Sequence, residues 1–182
     1  MITYDVAVNG VWLSTVGASL FERRLPVLPE MDDNTVKLAG TDGVVDFGGS
    51  YGARTIGLTF EITSSAAEFH RTLAYLARTF NAKRGEITLQ FADMPDKYYR
   101  AVYSGTLALG ATGSRLIDVE LRMNDPWPTG NESVTEYTIT AAVAAVDIES
   151  NADVNAQPVI TLTNTGGNIV RGFTLTNEYT LE

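Results

Sequence analysis

The stretch AGTDGVVDFGGSYGARTIGLTFEIT, Ala39 to Thr63, places five glycines in its first fourteen residues and then alternates apolar and polar side chains. Ile56, Leu58, Phe60 and Ile62 take every second position, with Thr55, Gly57, Thr59, Glu61 and Thr63 around them. A period of two puts the four apolar side chains on one face of a strand. The glycines ahead of it therefore read as turn residues. A phosphate-cradling loop needs a Gly-Lys-Ser/Thr end that opens a helix, whose first amides hold the anion. Here a strand follows, and no G-x-G-x-x-G spacing occurs. Asp42-Gly43 and Gly48-Gly49 serve as turn signals around the short apolar run VVDF, so the stretch predicts turns leading into a half-buried strand.

Further strands extend the pattern on both sides. TYDVAVNGVWL reaches Asn9-Gly10, a pair that tolerates positive φ and predicts a two-residue hairpin turn. ASLFERRL starts as a strand, but Pro26 and Pro29 lack ladder donors, so pairing should end near Leu25. NTVKLAG offers one short strand with Val36 and Leu38 inward. EITLQF (Ile87, Leu89, Phe91) and SRLIDVELRM (Ile117, Val119, Leu121, Met123) alternate in the same way. ADMPDK between EITLQF and YYRAVYSGTLAL reads as a turn.

One helix interrupts the strands. Ser65 with Glu68 three residues on has the pattern of a capping box, and Phe69, Leu73, Leu76 and Phe80 form a single apolar stripe up to a stop at Gly85. NDPWPTGNES concentrates proline, glycine and polar residues, which marks a boundary. The reading divides the chain into residues 1–128 and 129–182. About fifty residues after the boundary read as short strands, the front part of a sandwich that normally runs to about 100 residues. The fold class predicted is mainly β with one α-helix.

Composition narrows the function. The 182 residues carry thirteen Lys plus Arg against twenty-two Asp plus Glu, a formal net charge of −9, which opposes binding to nucleic acid backbones and anionic membranes. Without cysteine there is no disulfide, thiolate nucleophile or Cys-held zinc. The N-terminus has no basic and apolar leader pattern, which predicts a soluble chain without an export signal. His70 is the single histidine and reads as a partly buried structural residue beside Phe69. Acidic clusters at Glu30, Asp32, Asp33 and at Asp147, Glu149, Asp153 lack the glycine and closing glutamate of a calcium loop and read as solvated turns. No nucleophile, base and orienting group share a neighbourhood, so no enzyme, cofactor or metal is predicted. Tyr98, Tyr99 and Arg100, with Arg54, are the candidate assembly residues, since aromatic and Arg side chains anchor interfaces.

Four segments, GTDGVVDFGGSYGARTIGLTFEI, LARTFN, LQFADMPDKYYRAVYSG and LRMNDPW, together resemble the distal tail proteins of long-tailed phages, over Met1 to about Pro128. NADVNAQPVITLTNTGGNIVRGFTLTNE is similar to the start of that family's galectin-like second domain. The resemblance implies two packed β-sheets flanked by a helix, related to tail-tube subunits. It also implies a non-enzymatic hub at the virion tail tip, assembled in the host cytoplasm as a hexameric ring around the DNA exit channel. Its partners are then itself, the tail-tube protein and a tail-tip or baseplate protein, with no membrane and no specific DNA binding. A tail-tube or other tail-ring subunit is the alternative within that fold. A carbohydrate-binding module, resting on the aromatic-bearing strands and the sandwich fragment, is the alternative outside it.

Overall fold

The computed structural model describes residues 4–105, 107–109, 113–140, 145–148 and 158–176. The strands are β1 (Val6–Val8), β2 (Val11–Trp12), β3 (Ala18–Arg24), β4 (Met31–Val36), β5 (Val45–Tyr51), β6 (Arg54–Ile62), β7 (Ile87–Phe91), β8 (Met94–Tyr103), β9 (Ala108–Leu109) and β10 (Leu116–Met123). One helix, α1 (Phe69–Thr79), follows β6, and short 3-10 turns lie at Leu13–Val16 and Ala82–Arg84. No described helix is long and apolar enough to cross a membrane.

The alternating segments become the centre of an antiparallel sheet ordered β2-β1-β7-β8-β10-β6-β3, with β9 added beside β10. β6 and β10 pair along eight consecutive positions, from Leu116 opposite Glu61 to Met123 opposite Arg54. Ile56, Leu58, Phe60 and Ile62 of β6 are fully buried, as are Leu121 and Met123 of β10. Each such side chain contributes about 2 kcal/mol of hydrophobic stabilisation. β8 belongs to both halves of the sheet: its earlier residues pair with β7, and Val102 and Tyr103 pair with Arg122 and Leu121 of β10. The two halves share one apolar cluster, which takes Val6, Leu89 and Phe91 from one and Phe60, Val119 and Leu121 from the other.

The β1–β2 turn has positive φ at both Asn9 and Gly10, 51° and 80°, as the Asn-Gly pair predicts. The Asn9 side chain also accepts a hydrogen bond from the Thr88 amide at 2.9 Å. The turn after β7 is shorter than expected. Only Ala92 and Asp93 lie outside the strands, and Pro95, Asp96 and Lys97 belong to β8, where the register slips next to Gln90. The slip accommodates a proline, which has no ladder donor, and the Gln90 side chain donates to the Pro95 carbonyl at 2.7 Å.

The helix is also shorter than its stripe suggests. Glu68 is the residue before its first turn and makes no side-chain cap, while its amide closes a turn onto the Ser65 carbonyl at 3.0 Å. The capping box read at Ser65 and Glu68 is therefore not formed. The serine that takes part is Ser64, whose hydroxyl accepts from Thr72 at 3.0 Å. Leu76 and Phe80 are buried, with Phe69 and Leu73 packed at the rim, and the Phe80 ring stacks on Phe60 at 5.7 Å. The chain before β3 passes so close to the helix entrance that a Cβ on Gly17 would lie 2.7 Å from that of Ser64.

The largest departure is the region of the glycines. β4 and β5 form a separate two-stranded hairpin, and every residue from 30 to 51 is exposed. Val36 and Leu38, read as inward, are about half exposed. With no second layer over it, this ribbon has no inside. Gly48-Gly49 is no turn but a bulge within β5, with Gly48 at φ 86° and its amide donating to Asp46 Oδ1 at 2.8 Å.

The chain divides into two compact units at Val134/Thr135. In the second unit the described residues, up to 140, 145–148 and 158–176, form no helix or ladder, including those of VTEYTITAAVAAVDIES and QPVITLTNTGG read as strands. Glu149, Asn151, Asp153 and Asn155 lie outside the described residues.

Candidate functional site

The base of the exposed hairpin is where the structure gathers the residues of interest. β6 begins at Arg54, two residues after Gly52, whose amide bonds the Glu30 carbonyl at 2.8 Å and closes the hairpin. Arg54 turns inward and is 6% exposed. Its guanidinium donates to the backbone carbonyls of Pro26, Val27 at 3.4 Å and Pro126 at 3.4 Å, and Nε has no partner. The two prolines of LPVLP hold the chain off any ladder, which leaves those carbonyls free to accept. Among the described residues no carboxylate pairs with Arg54, and burial pushes its pKa down, opposed by the Tyr99 side chain. Tyr51 stands edge-on to Trp127 at 5.3 Å, so the hairpin base is held from the β5 end as well.

From Arg54 a line of contacts crosses the core. Its guanidinium lies 5.9 Å from the Tyr99 ring, Tyr99 meets Phe91 at 5.4 Å, and the Arg23 guanidinium lies over the Phe91 ring at 4.6 Å. Arg23 ends in a two-pronged ion pair with Asp93, 2.8 Å at each prong. The hydrogen bonds from Arg23 hold the Asp93 carboxyl below its ordinary pKa, and the same pairing raises that of Arg23. This ion pair ties β3, at one end of the sheet, to the β7–β8 turn in the other half.

Of the four candidate assembly residues, Arg54 and Tyr99 are thus brought together in the interior. Tyr98 and Arg100, one position away on β8, point to the opposite face, as the pleat requires. Tyr98 is half-buried and its backbone exchanges hydrogen bonds with Thr129 at 2.8 and 2.9 Å, while Arg100 is exposed. Sequence reasoning missed the Arg23–Asp93 pair because the partners lie seventy positions apart. It also missed the outward-facing apolar side chains of the hairpin, because the same alternation describes a ribbon with or without a covering layer.

The chemistry of the remaining surface is plain. His70 is exposed rather than partly buried, with its ring edge-on to Phe69 at 5.5 Å, since it falls just outside the helix stripe. Among the described residues no three acidic, His or Cys side chains converge. An open cleft of about 590 Å³ runs beside Arg24, Pro26, Thr55, Gly57, Asp118 and Glu120 on the outer face of β3, β6 and β10. It pairs no nucleophile with a base.

The sequence matches, over residues 15–123, the family described as phage tail protein RIFT-related domain. No curated protein matches it. Among solved structures, the fold is similar to that of the SPP1 Dit protein, described as a paradigm of the hub adsorption apparatus in phages infecting Gram-positive bacteria. The TM-score is 0.60 and the identity 19%, over 70% of this chain. The chain spans about half of that protein, 52% of its length. With its family match covering β3 to β10 and most of the apolar core, the chain belongs to the phage tail proteins that carry the RIFT-related domain.

Proposed function

We propose that this tail protein is a structural hub at the distal end of the tail tube, a hexameric ring that joins the tube to the tail tip or baseplate and surrounds the DNA exit channel. The observation that carries the reading is the RIFT-related match over residues 15–123 together with the fold shared with the SPP1 Dit protein. Charge supports it. Each phosphate neutralised by Lys or Arg adds salt-dependent affinity, so a channel wall that releases DNA has to be neutral or acidic. At −9 per chain, six copies carry −54, which turns DNA away from the wall and demands apolar or charge-paired contacts between copies.

In the same reading the chain makes no covalent chemistry, and residues after Val134 correspond in sequence to the start of a galectin-like sandwich. The exposed pairs Ile160, Leu162 and Phe173, Leu175 have the spacing of inward strand residues and support that assignment. Tyr98 and Arg100 offer outward contacts for neighbours, and Arg54 with Tyr99 holds the hairpin base in place. Gold-labelled antibody against this chain, applied to assembled tails, should mark the end of the tube that carries the tip. Label along the whole tube would instead make it a tube subunit and overturn the hub reading.

A further inference from the structure

The β4–β5 hairpin and the α1 segment carry opposite charge. Between residues 30 and 51, all exposed, stand five carboxylates and one lysine, a net charge of −4. Among them Asp32 and Asp33 meet no cation among the described residues. One face of the ribbon exposes Asp32, Val36, Val45 and Phe47, with Phe47 67% exposed and Val36 directly opposite Val45, while Met31 and Asp33 lie on the other face. A two-stranded ribbon that buries nothing is marginal in water and gains stability by lying on another surface.

The helix offers such a surface. Residues 69–84 hold Arg71, Arg78, Lys83 and Arg84 and no carboxylate, a net charge of +4. None of these four is ion-paired among the described residues. Arg71, Ala74, Ala77 and Arg78 are exposed on one helix face, so the arginines flank a shelf of two small apolar residues. A Phe or Val side chain can lie on that shelf while carboxylates beside it reach the guanidinium groups.

Within one chain the two surfaces are kept apart. The hairpin joins β6 at Arg54 and the helix follows its other end at Ile62, so a nine-residue strand, about 27 Å at 3.4 Å per step, separates the roots. We infer that the β4–β5 face carrying Asp32, Val36, Val45 and Phe47 docks on the Arg71/Ala74/Ala77/Arg78 face of α1 in a second copy of this chain. The contact joins two different surfaces, so it runs head to tail, and repeating it closes a ring where the rotation allows. It rests on the proposal that copies of this chain assemble in the tail, and it names the surfaces that meet.

The absence of native cysteine makes the test direct. The variant Phe47→Cys/Ala74→Cys, both changes at exposed positions, is assembled into tails and oxidised. The expected result is a ladder of disulfide-linked multimers, absent from either single variant. Adding Asp32→Lys should lower the linked fraction about tenfold through like-charge repulsion, and adding Arg71→Glu/Arg78→Glu to that variant should restore it. Tails that incorporate the chain yet yield no ladder, or a ladder indifferent to the charge changes, overturn the docking and leave the hub proposal standing. Tails from which the unaltered chain is absent overturn the hub proposal itself.

Discussion

Arg54 places a positive charge where only carbonyl oxygens receive it, a costly arrangement unless the geometry it enforces is needed. It links three stretches far apart in sequence, Pro26–Val27, the start of β6 and Pro126, and so fixes how the chain enters and leaves the hairpin. Hydrogen bonds to a charged group contribute about 1.5 to 3 kcal/mol, so Arg54→Ala should destabilise the first unit by about that much. It should also speed protease cleavage between residues 26 and 53. Arg54→Lys keeps the charge but loses the planar fork, and should behave like the Ala variant in a denaturant titration. The Arg23–Asp93 pair gives a prediction with a sign. Asp93 titrates below its ordinary value near 3.8, so its contribution is fully present above that value and disappears as pH falls through the folded-state pKa. Asp93→Asn should therefore cost up to about 1 kcal/mol at neutral pH, as partly exposed ion pairs do. The two unfolding curves should converge as the pH is lowered below about 4. A gap that stays constant at low pH rules out the ionic contribution.

At the scale of elements, α1 is held by its buried face. Leu76→Ala should cost about 2 to 5 kcal/mol, and Arg78→Ala less than about 0.5 kcal/mol, as read from denaturant midpoints. Gly17 has φ 84° and no room beside Ser64, so Gly17→Ala should cost more than about 1 kcal/mol. Equal midpoints for the helix variants mean that the stripe is not the buried face. The central strands and this stripe were legible in the sequence, because β6, β10, β7 and α1 each bury one face and so impose a period on their residues. What lies at the edges was not. Val36, Leu38 and Phe47 alternate as core residues do, yet the covering layer that alternation implies is missing from this unit. Ser65 and Glu68 spell a cap that the backbone bypasses, because Thr72 ties the helix entrance to Ser64 and to the Val16 carbonyl. Arg54 and Tyr99 could be named as notable residues, but that they face each other across the core follows from β8 joining the two halves of the sheet, and no local pattern reports that.

For the whole molecule the relevant quantities are the charge and the unsatisfied surfaces. A chain with −9 overall nevertheless holds an acidic ribbon and a basic helix, which in the proposed assembly lets copies that repel at a distance attract in one orientation. Exposed sheet edges at β2 and β3 leave further backbone donors and acceptors for neighbours. These features agree with a part whose stable form is an assembly, and membership of the tail-protein family places that assembly in a phage tail. The central claim is that the chain forms a six-membered ring that lets DNA pass without holding it. Its most direct test is electron cryomicroscopy of the intact tail at the position of this protein. The account predicts sixfold symmetry and a lumen with net negative lining, and a different rotational order or a lumen lined mainly by Arg and Lys would contradict it.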